Sequence, residues 1–284
     1  MAKDTFFQKK ATINAGGRLI DLSSPKVMGI INLTPDSFFA GSRKQSVEAA
    51  VARTREMLAE GATFIDLGAY SSRPGADDIS MQEETDRLLP VVEAIASAHP
   101  EAILSVDTFR SKVAETAIKA GAHIINDISG GQLDDEMFAT IARLQVPYIL
   151  MHIKGNPRTM NKIAEYDEVF AEVYDYFGEK YHQLRMLGVH DVIIDPGFGF
   201  AKKREHSYAL MQRLQDFNML QLPLLTGVSR KTMIYRMLGI KPEEALNGTT
   251  ALNTIALTKG ANILRVHDVK EAMEAVKIWS ACQS

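Results

Sequence analysis

The sequence predicts an α/β protein built as a single (β/α)8 barrel, with an N-terminal β-hairpin closing its bottom. Three observations carry this prediction. A short phrase recurs along the chain, in which a helix ends at a glycine and an apolar run and then a polar residue follow. Amphipathic helical segments alternate with these apolar runs to the C-terminus. About eight such units fit into roughly 250 residues, the usual size of this barrel. An open, doubly wound sheet is the fallback, disfavoured because the repeat continues evenly with no linker to mark a second domain. The chain therefore reads as one domain, with a hairpin over residues 1–25 and a barrel over 26–284.

The first element is the stretch 5–22, which has Gly16-Gly17 at its centre and reads as the hairpin. The recurring phrase then appears as Glu60-Gly61-Ala62-Thr63-Phe64-Ile65-Asp66, as Ala120-Gly121-Ala122-His123-Ile124-Ile125-Asn126 and as Lys259-Gly260-Ala261-Asn262-Ile263-Leu264-Arg265, with a looser copy from Leu187-Gly188 to Ile194-Asp195. The glycine supplies a left-handed helix terminus, and the apolar run is a strand buried on both faces. Strands are expected at 27–31, 63–67, 102–106, 123–126, 146–151, 191–194, 222–226 and 262–266. Between them, apolar residues spaced by three and four draw one inward stripe on each helix, as at Val47, Ala50, Val51, Thr54, Met57 and Leu58. The remaining helices are expected near 83–98, 112–120, 135–144, 167–187, 206–217, 242–259 and 269–280.

Composition narrows the function. With 284 residues, 46% hydrophobic and 24% charged, the chain can bury a large core and is not a disordered tail. Its 32 basic residues against 35 acidic leave a net charge of −3, which gives no footprint for nucleic acid or an acidic membrane surface. One cysteine, Cys282, builds neither a disulfide framework nor a cysteine zinc site within one chain, which fits a reducing cytoplasm. Residues 1–10 are polar and lysine-bearing, and no run of 18 or more apolar residues occurs, so a soluble cytoplasmic protein is expected.

In such barrels the chemistry sits at the C-terminal ends of the strands. Those ends deliver Asn32, then Ser71, Ser72 and Arg73, Asp107, Asn126 with Asp127, His152, Asp195, Ser229 to Lys231, and Arg265 with His267. Any one of these could merely cap the next helix, but their convergence on one mouth points to a site. Asp127, Thr108 and Asp268 are read as structural, Asp268 through a capping-box spacing to Glu271. Asp66, inside its strand, is also read as structural, and His152 as a satisfied neighbour. The connections 32–45 and 68–81 are about twice the usual length and read as lids over the mouth. Arg265 and His267 precede a helix N-terminus, a natural anion site, while one of Arg230 and Lys231 is expected to be a surface charge. Asp195-Pro196-Gly197-Phe198-Gly199-Phe200 reads as a turn exposing two phenylalanines. No nucleotide-loop, dinucleotide, zinc-protease or serine-hydrolase motif is present.

Seven strings, taken together and in order over residues 26–269, resemble the dihydropteroate synthase family of pterin-binding TIM barrels. They are Met28-Gly29-Ile30-Ile31-Asn32-Leu33-Thr34-Pro35-Asp36-Ser37-Phe38, Ser72-Arg73-Pro74-Gly75-Ala76, Ser105-Val106-Asp107-Thr108, Asn126-Asp127-Ile128, the turn from Asp195 to Phe200, Ser229-Arg230-Lys231 and Arg265-Val266-His267-Asp268. The resemblance implies a homodimer that joins 6-hydroxymethyl-7,8-dihydropterin pyrophosphate to p-aminobenzoate, giving dihydropteroate and pyrophosphate. It implies that Asp107, Asn126, Asp195, Lys231 and Arg265 bind the pterin, with Asp107, Asp195, Lys231 and Arg265 also acting in catalysis. Asn32, Arg73, Arg265 and His267 would take the pyrophosphate, with Asn32 on Mg2+. Phe38, Ser72, Arg73, Pro74, Phe200, Lys231 and Thr232 would form the p-aminobenzoate pocket, where sulfonamides compete.

The chain departs from the family pattern in three places. Its second lid reads Ala69-Tyr70-Ser71-Ser72-Arg73-Pro74-Gly75, without the usual acid and with serine for threonine. Phe39-Ala40-Gly41-Ser42 follows Phe38, and Ala201 stands where glycine is usual. Two other functions fit the same barrel: a methyltransferase passing a methyl group from methyltetrahydrofolate to a corrinoid protein, and a non-catalytic pterin-binding paralogue. The first has no use for a pyrophosphate clamp, and the second is disfavoured by the intact pterin residues.

Overall fold

The computed structural model describes residues 11–33, 43–71, 78–156, 159–160 and 163–283. Strands β1 (Thr12–Ala15) and β2 (Arg18–Asp21) pair antiparallel, Ala15 opposite Arg18. Gly16 and Gly17 make the turn between them at φ 61° and 82°, a pair of left-handed positions that suits the twist of a two-residue hairpin.

Eight parallel strands follow: β3 (Lys26–Asn32), β4 (Phe64–Gly68), β5 (Ile103–Asp107), β6 (Ile124–Asp127), β7 (Tyr148–Met151), β8 (Val192–Asp195), β9 (Leu225–Thr226) and β10 (Ile263–Val266). Their order is β8-β7-β6-β5-β4-β3-β10-β9, and a bridge between Ile194 and Leu224 brings β8 against the approach to β9, nearly closing the ring. Each predicted strand is present, shifted by a residue or two at its ends except β9, which begins three residues later than expected.

The helices are α1 (Arg43–Glu60), α2 (Met81–Ala98), α3 (Ser111–Lys119), α4 (Met137–Leu144), α5 (Val169–Met186), α6 (Arg204–Gln212), α7 (Thr232–Leu238), α8 (Leu246–Thr258) and α9 (Val269–Ala281). Two predicted spans differ. The helix expected at 206–217 stops at Gln212 and continues as a 3-10 segment, Leu214–Leu220. The one expected at 242–259 begins with a separate 3-10 turn, Pro242–Glu244, and is preceded by α7, which the periodicity did not reveal. A seven-residue helix stopped by Gly239 at φ 68° is too short to draw a stripe. None of the described helices is long and apolar enough to cross a membrane.

The period of two along the strands organises the interior. One residue from each strand forms a floor: Met28, Phe64, Ile103, Ile124, Ile149, Ile193, Leu225 and Ile263, all packed with Ile13, Ala15 and Leu22 of the hairpin segment. Neighbours such as Val27, Ile65, Leu104, Ile125, Tyr148 and Leu264 belong to the larger cluster under the helices. The hairpin is bonded around the base. Arg18 donates to the carbonyls of Glu101 (2.7 Å) and Ala102 (3.1 Å), the Asn14 amide donates to Asp191 Oδ2 (2.9 Å), and Asn262 Nδ2 donates to the Leu22 carbonyl (2.9 Å). The bottom of the barrel is therefore plugged as expected.

Candidate active site

Two residues above the floor, the same strand face carries Ile30, Asp66, Ser105, Asn126, Met151, Asp195, Gly227 and Arg265. Polar groups thus replace apolar ones at Asp66, Ser105, Asn126, Asp195 and Arg265 one layer up. At the rim, Asn32 is opposite Gly68, Gly68 opposite Asp107, and Asp107 opposite Asn126, so these four are successive neighbours across β3 to β6.

Arg265 reaches from β10 across the mouth. Its Nε donates to Asp66 Oδ2 at 2.6 Å and its Nη2 to Asp107 Oδ2 at 2.9 Å. Asp66 is fully buried and also accepts from Ser105 Oγ (2.6 Å) and from Asn126 Nδ2 (3.0 Å). A single carboxylate therefore fixes both the guanidinium and the carboxamide plane. The sequence reading of Asp66 as structural named no partner for it, and the structure ties it to Arg265 and Asn126 of the candidate site.

Asp195, at the end of β8, is 5% exposed and accepts from the Gly197 amide through Oδ1 at 2.8 Å. A Cβ placed on Gly227 would lie 3.9 Å from Asp195 Oδ2, from Lys231 Nζ and from Arg265 Cβ alike. Three groups from three strand ends thus surround one small space, left open because residue 227 has no side chain. Lys231 donates to the Phe198 carbonyl (2.7 Å), and its Nζ is 4.7 Å from the ring centre of Phe200.

Burial dominates the electrostatics. It pushes Asp107 up to about 7, against the pull of Arg265 and with the push of Asp66, Glu84 and Asp127. It raises Asp195 as well, opposed by Lys231, the Gly197 amide, Arg265 and Lys202. It lowers Lys231 to about 8, against the pull of Asp195.

On the far side of the mouth, His267 Nδ1 is 2.9 Å from Ser229 Oγ, and the His267 amide donates to the same oxygen at 3.2 Å. The Ser229 hydroxyl thus bonds both the ring and the backbone of His267 and fixes its orientation. This pair sits just before α9, whose N-terminus favours anions. Thr232 is exposed at the start of α7, beside Lys231.

Several expectations need correction. Phe198 is not exposed by its turn but fully buried in the core, and only Phe200 reaches the mouth. The reason is the left-handed backbone at Gly197 and Gly199 (φ 69° and 79°), which turns consecutive aromatic rings to opposite sides. Asp268 makes no side-chain cap for α9 and instead holds Arg230 through two bonds of 2.7 and 3.0 Å, so the second cation of that pair is an ion-paired clamp between loops. Asp127 is structural as read, accepting from Tyr148 Oη (2.6 Å) and from the amides of Ser129 and Gly131. Thr108 likewise donates to the buried Glu84 (2.6 Å). Phe38, Ser72, Arg73 and Pro74, with the rest of segments 34–42 and 72–77 of the predicted lids, lie outside the described residues.

A barrel plugged below, with buried carboxylates, a carboxamide and two cations gathered at its open end, defines a barrel protein with a polar small-molecule site. Residues 28–267 match the model of the family described as pterin binding enzyme. The chain is 46% identical over 272 residues to the dihydropteroate synthase of Escherichia coli strain K12, covering 95% of this chain and 96% of that one. It superposes on the Xanthomonas albilineans dihydropteroate synthase with 4-aminobenzoic acid (TM-score 0.90, 38% identity, 96% of this chain and 98% of the other). The same enzyme in complex with 7,8-dihydropteroate gives a TM-score of 0.86 at 36% identity, over 96% and 99% of the two chains. The chain belongs to the dihydropteroate synthase family.

Proposed function

We infer that this protein condenses 6-hydroxymethyl-7,8-dihydropterin pyrophosphate with p-aminobenzoate, forming 7,8-dihydropteroate and releasing pyrophosphate. The observation that carries this reading is the gathering of Asp195 and Lys231 beside Gly227 with Arg265, whose guanidinium bonds Asp107 directly and is linked to Asn126 through Asp66. Nothing in the site favours the corrinoid methyltransferase.

In this reading the pterin's adjacent ring and exocyclic N–H groups donate to Asp195, while Asp107 and Asn126 take the remaining edge and Lys231 donates to the pterin carbonyl. Arg265, braced by two carboxylates, presents its guanidinium beside the ring. Electron release from the dihydropterin nitrogen assists departure of pyrophosphate, which takes the C–O bonding pair. The aryl amine of p-aminobenzoate then forms the new C–N bond and loses a proton. The carboxylates stabilise the positive charge on the pterin, and Arg265, His267 and the α9 N-terminus stabilise the leaving anion. Phe200 and Lys231 border the arene, with Phe38, Ser72, Arg73, Pro74 and Thr232 as its other walls, and sulfonamides would compete there.

Asn32 would hold Mg2+. Among the described residues no three histidines, cysteines or carboxylates are grouped to hold a metal, and Asn32 offers one half-buried carboxamide at the rim. That donor set fits a hard cation bound mainly by phosphate oxygens and water, which would neutralise pyrophosphate charge. A homodimer is part of the same reading, supported by exposed Met237, Leu238, Ile255 and Ile278 on α7, α8 and α9.

The test supplies purified protein with Mg2+, the pterin pyrophosphate and p-aminobenzoate, at a concentration where sedimentation reports the dimer mass. Equal yields of pyrophosphate and dihydropteroate are expected, and their absence refutes the synthase. The pH dependence of kcat/KM for the pterin substrate should be bell-shaped. The acid limb falls near 7, where Asp107 gains a proton and stops accepting, and the alkaline limb near 8, where Lys231 loses its charge. A flat profile from 6 to 9 contradicts this assignment.

A further inference from the structure

The loop after β8 is held from beneath by a buried lysine, Lys202, that bonds none of the site's side chains. Gly197, Gly199 and Ala201 adopt φ values of 69°, 79° and 48°, so every second residue is left-handed. This alternation sends Phe198 into the core, Phe200 to the mouth and Lys202 back inside, where it is 7% exposed. A left-handed alanine is costly, because its Cβ crowds the backbone, so the shape must be imposed by its surroundings.

Lys202 Nζ lies 2.8 Å from His152 Nδ1, 3.2 Å from the His152 carbonyl and 3.1 Å from the Phe200 carbonyl. The Lys202 amine thus meets three uncharged partners, and burial lowers its pKa well below the usual lysine value. From above, Lys231 holds the Phe198 carbonyl, and from the side Tyr166 Oη donates to the Ala201 carbonyl at 2.9 Å. The first residue of the same loop, Gly197, is bonded to Asp195.

We propose that Lys202 is a positioning residue for the condensation: by tying the Phe200 carbonyl to His152 it fixes the loop in the shape that sets the Phe200 ring against Lys231. The proposal rests on the synthase reading, with Phe200 as a wall of the arene site. It assigns Lys202 an effect on p-aminobenzoate that is transmitted entirely through Phe200.

Steady-state kinetics of Lys202→Met, Phe200→Ala and the double variant test this, after wild-type turnover has been measured. Lys202→Met should raise the KM for p-aminobenzoate at least tenfold with a smaller change in kcat, and the double variant should be no worse than Phe200→Ala alone. An unchanged KM, a fall in kcat alone as from a smaller folded fraction, or full multiplicativity with Phe200→Ala overturns the proposal. If Lys202→Met does not fold, Tyr166→Phe releases the Ala201 carbonyl without removing a charge. It should raise the same KM, and an unchanged value again overturns the proposal. A wild-type protein that turns nothing over would instead refute the synthase reading.

Discussion

Asp195→Asn is expected to fold normally and to lose dihydropterin affinity by about 2–5 kcal/mol, the usual cost of removing one partner from a buried charged hydrogen bond. The separation of the two effects follows from the carboxylate's geometry. Oδ1 is committed to the Gly197 amide, and an asparagine oxygen can keep that bond. The amide nitrogen then replaces Oδ2 on the side facing Lys231 and Gly227, where it turns a donor toward the donors of the pterin edge. Burial already works against the negative charge at this position, so the neutral residue should unfold at or above the wild-type temperature. Calorimetric titration with the pterin substrate reads the affinity. An unchanged dissociation constant would show that Asp195 is not the anchor.

Arg265→Met should be the more damaging change, because it harms the fold and the site together. Asp66 is fully buried, and Arg265 is the only charged partner it has among the described ion pairs. Removing the guanidinium strands that carboxylate beside Ser105 and Asn126, which costs about 3–5 kcal/mol for a broken buried pair. Asp107 loses its 2.9 Å contact in the same step. Denaturant unfolding measures the loss, and adding Asp66→Asn should recover much of it without restoring activity. A single variant within about 1 kcal/mol of wild type would show that Asp66 does not depend on Arg265.

The sequence was most informative where a physical period was strict. Four barrel strands could be placed from the glycine-to-apolar phrase and the other four from their apolar runs, because a helix stop and a buried strand both restrict residue choice. The boundaries drifted by up to three residues, and α7 was missed because its seven residues carry no stripe. In the site, Asp107, Asn126, Asp195, Lys231 and Arg265 were legible as polar residues ending apolar strands. Asp66 was undervalued for want of one step: it follows Phe64 by two, as Asn126 follows Ile124 and Arg265 follows Ile263, so it shares their inward layer. Phe198 was misplaced because side-chain direction in that loop depends on backbone φ, which composition does not reveal. Lys202 gave no signal at all, since a lysine in a Lys-Lys-Arg run looks solvated.

The seal that Ile13, Ala15 and Leu22 place under the strands gives the barrel one doorway. On the function proposed above, substrates and products would share the opposite end, so a molecule resting against Asp195 and Asn126, both almost fully buried, would have to arrive before anything is stacked above it. A stopper formed by the first strands of the chain would thereby impose a queue on that chemistry.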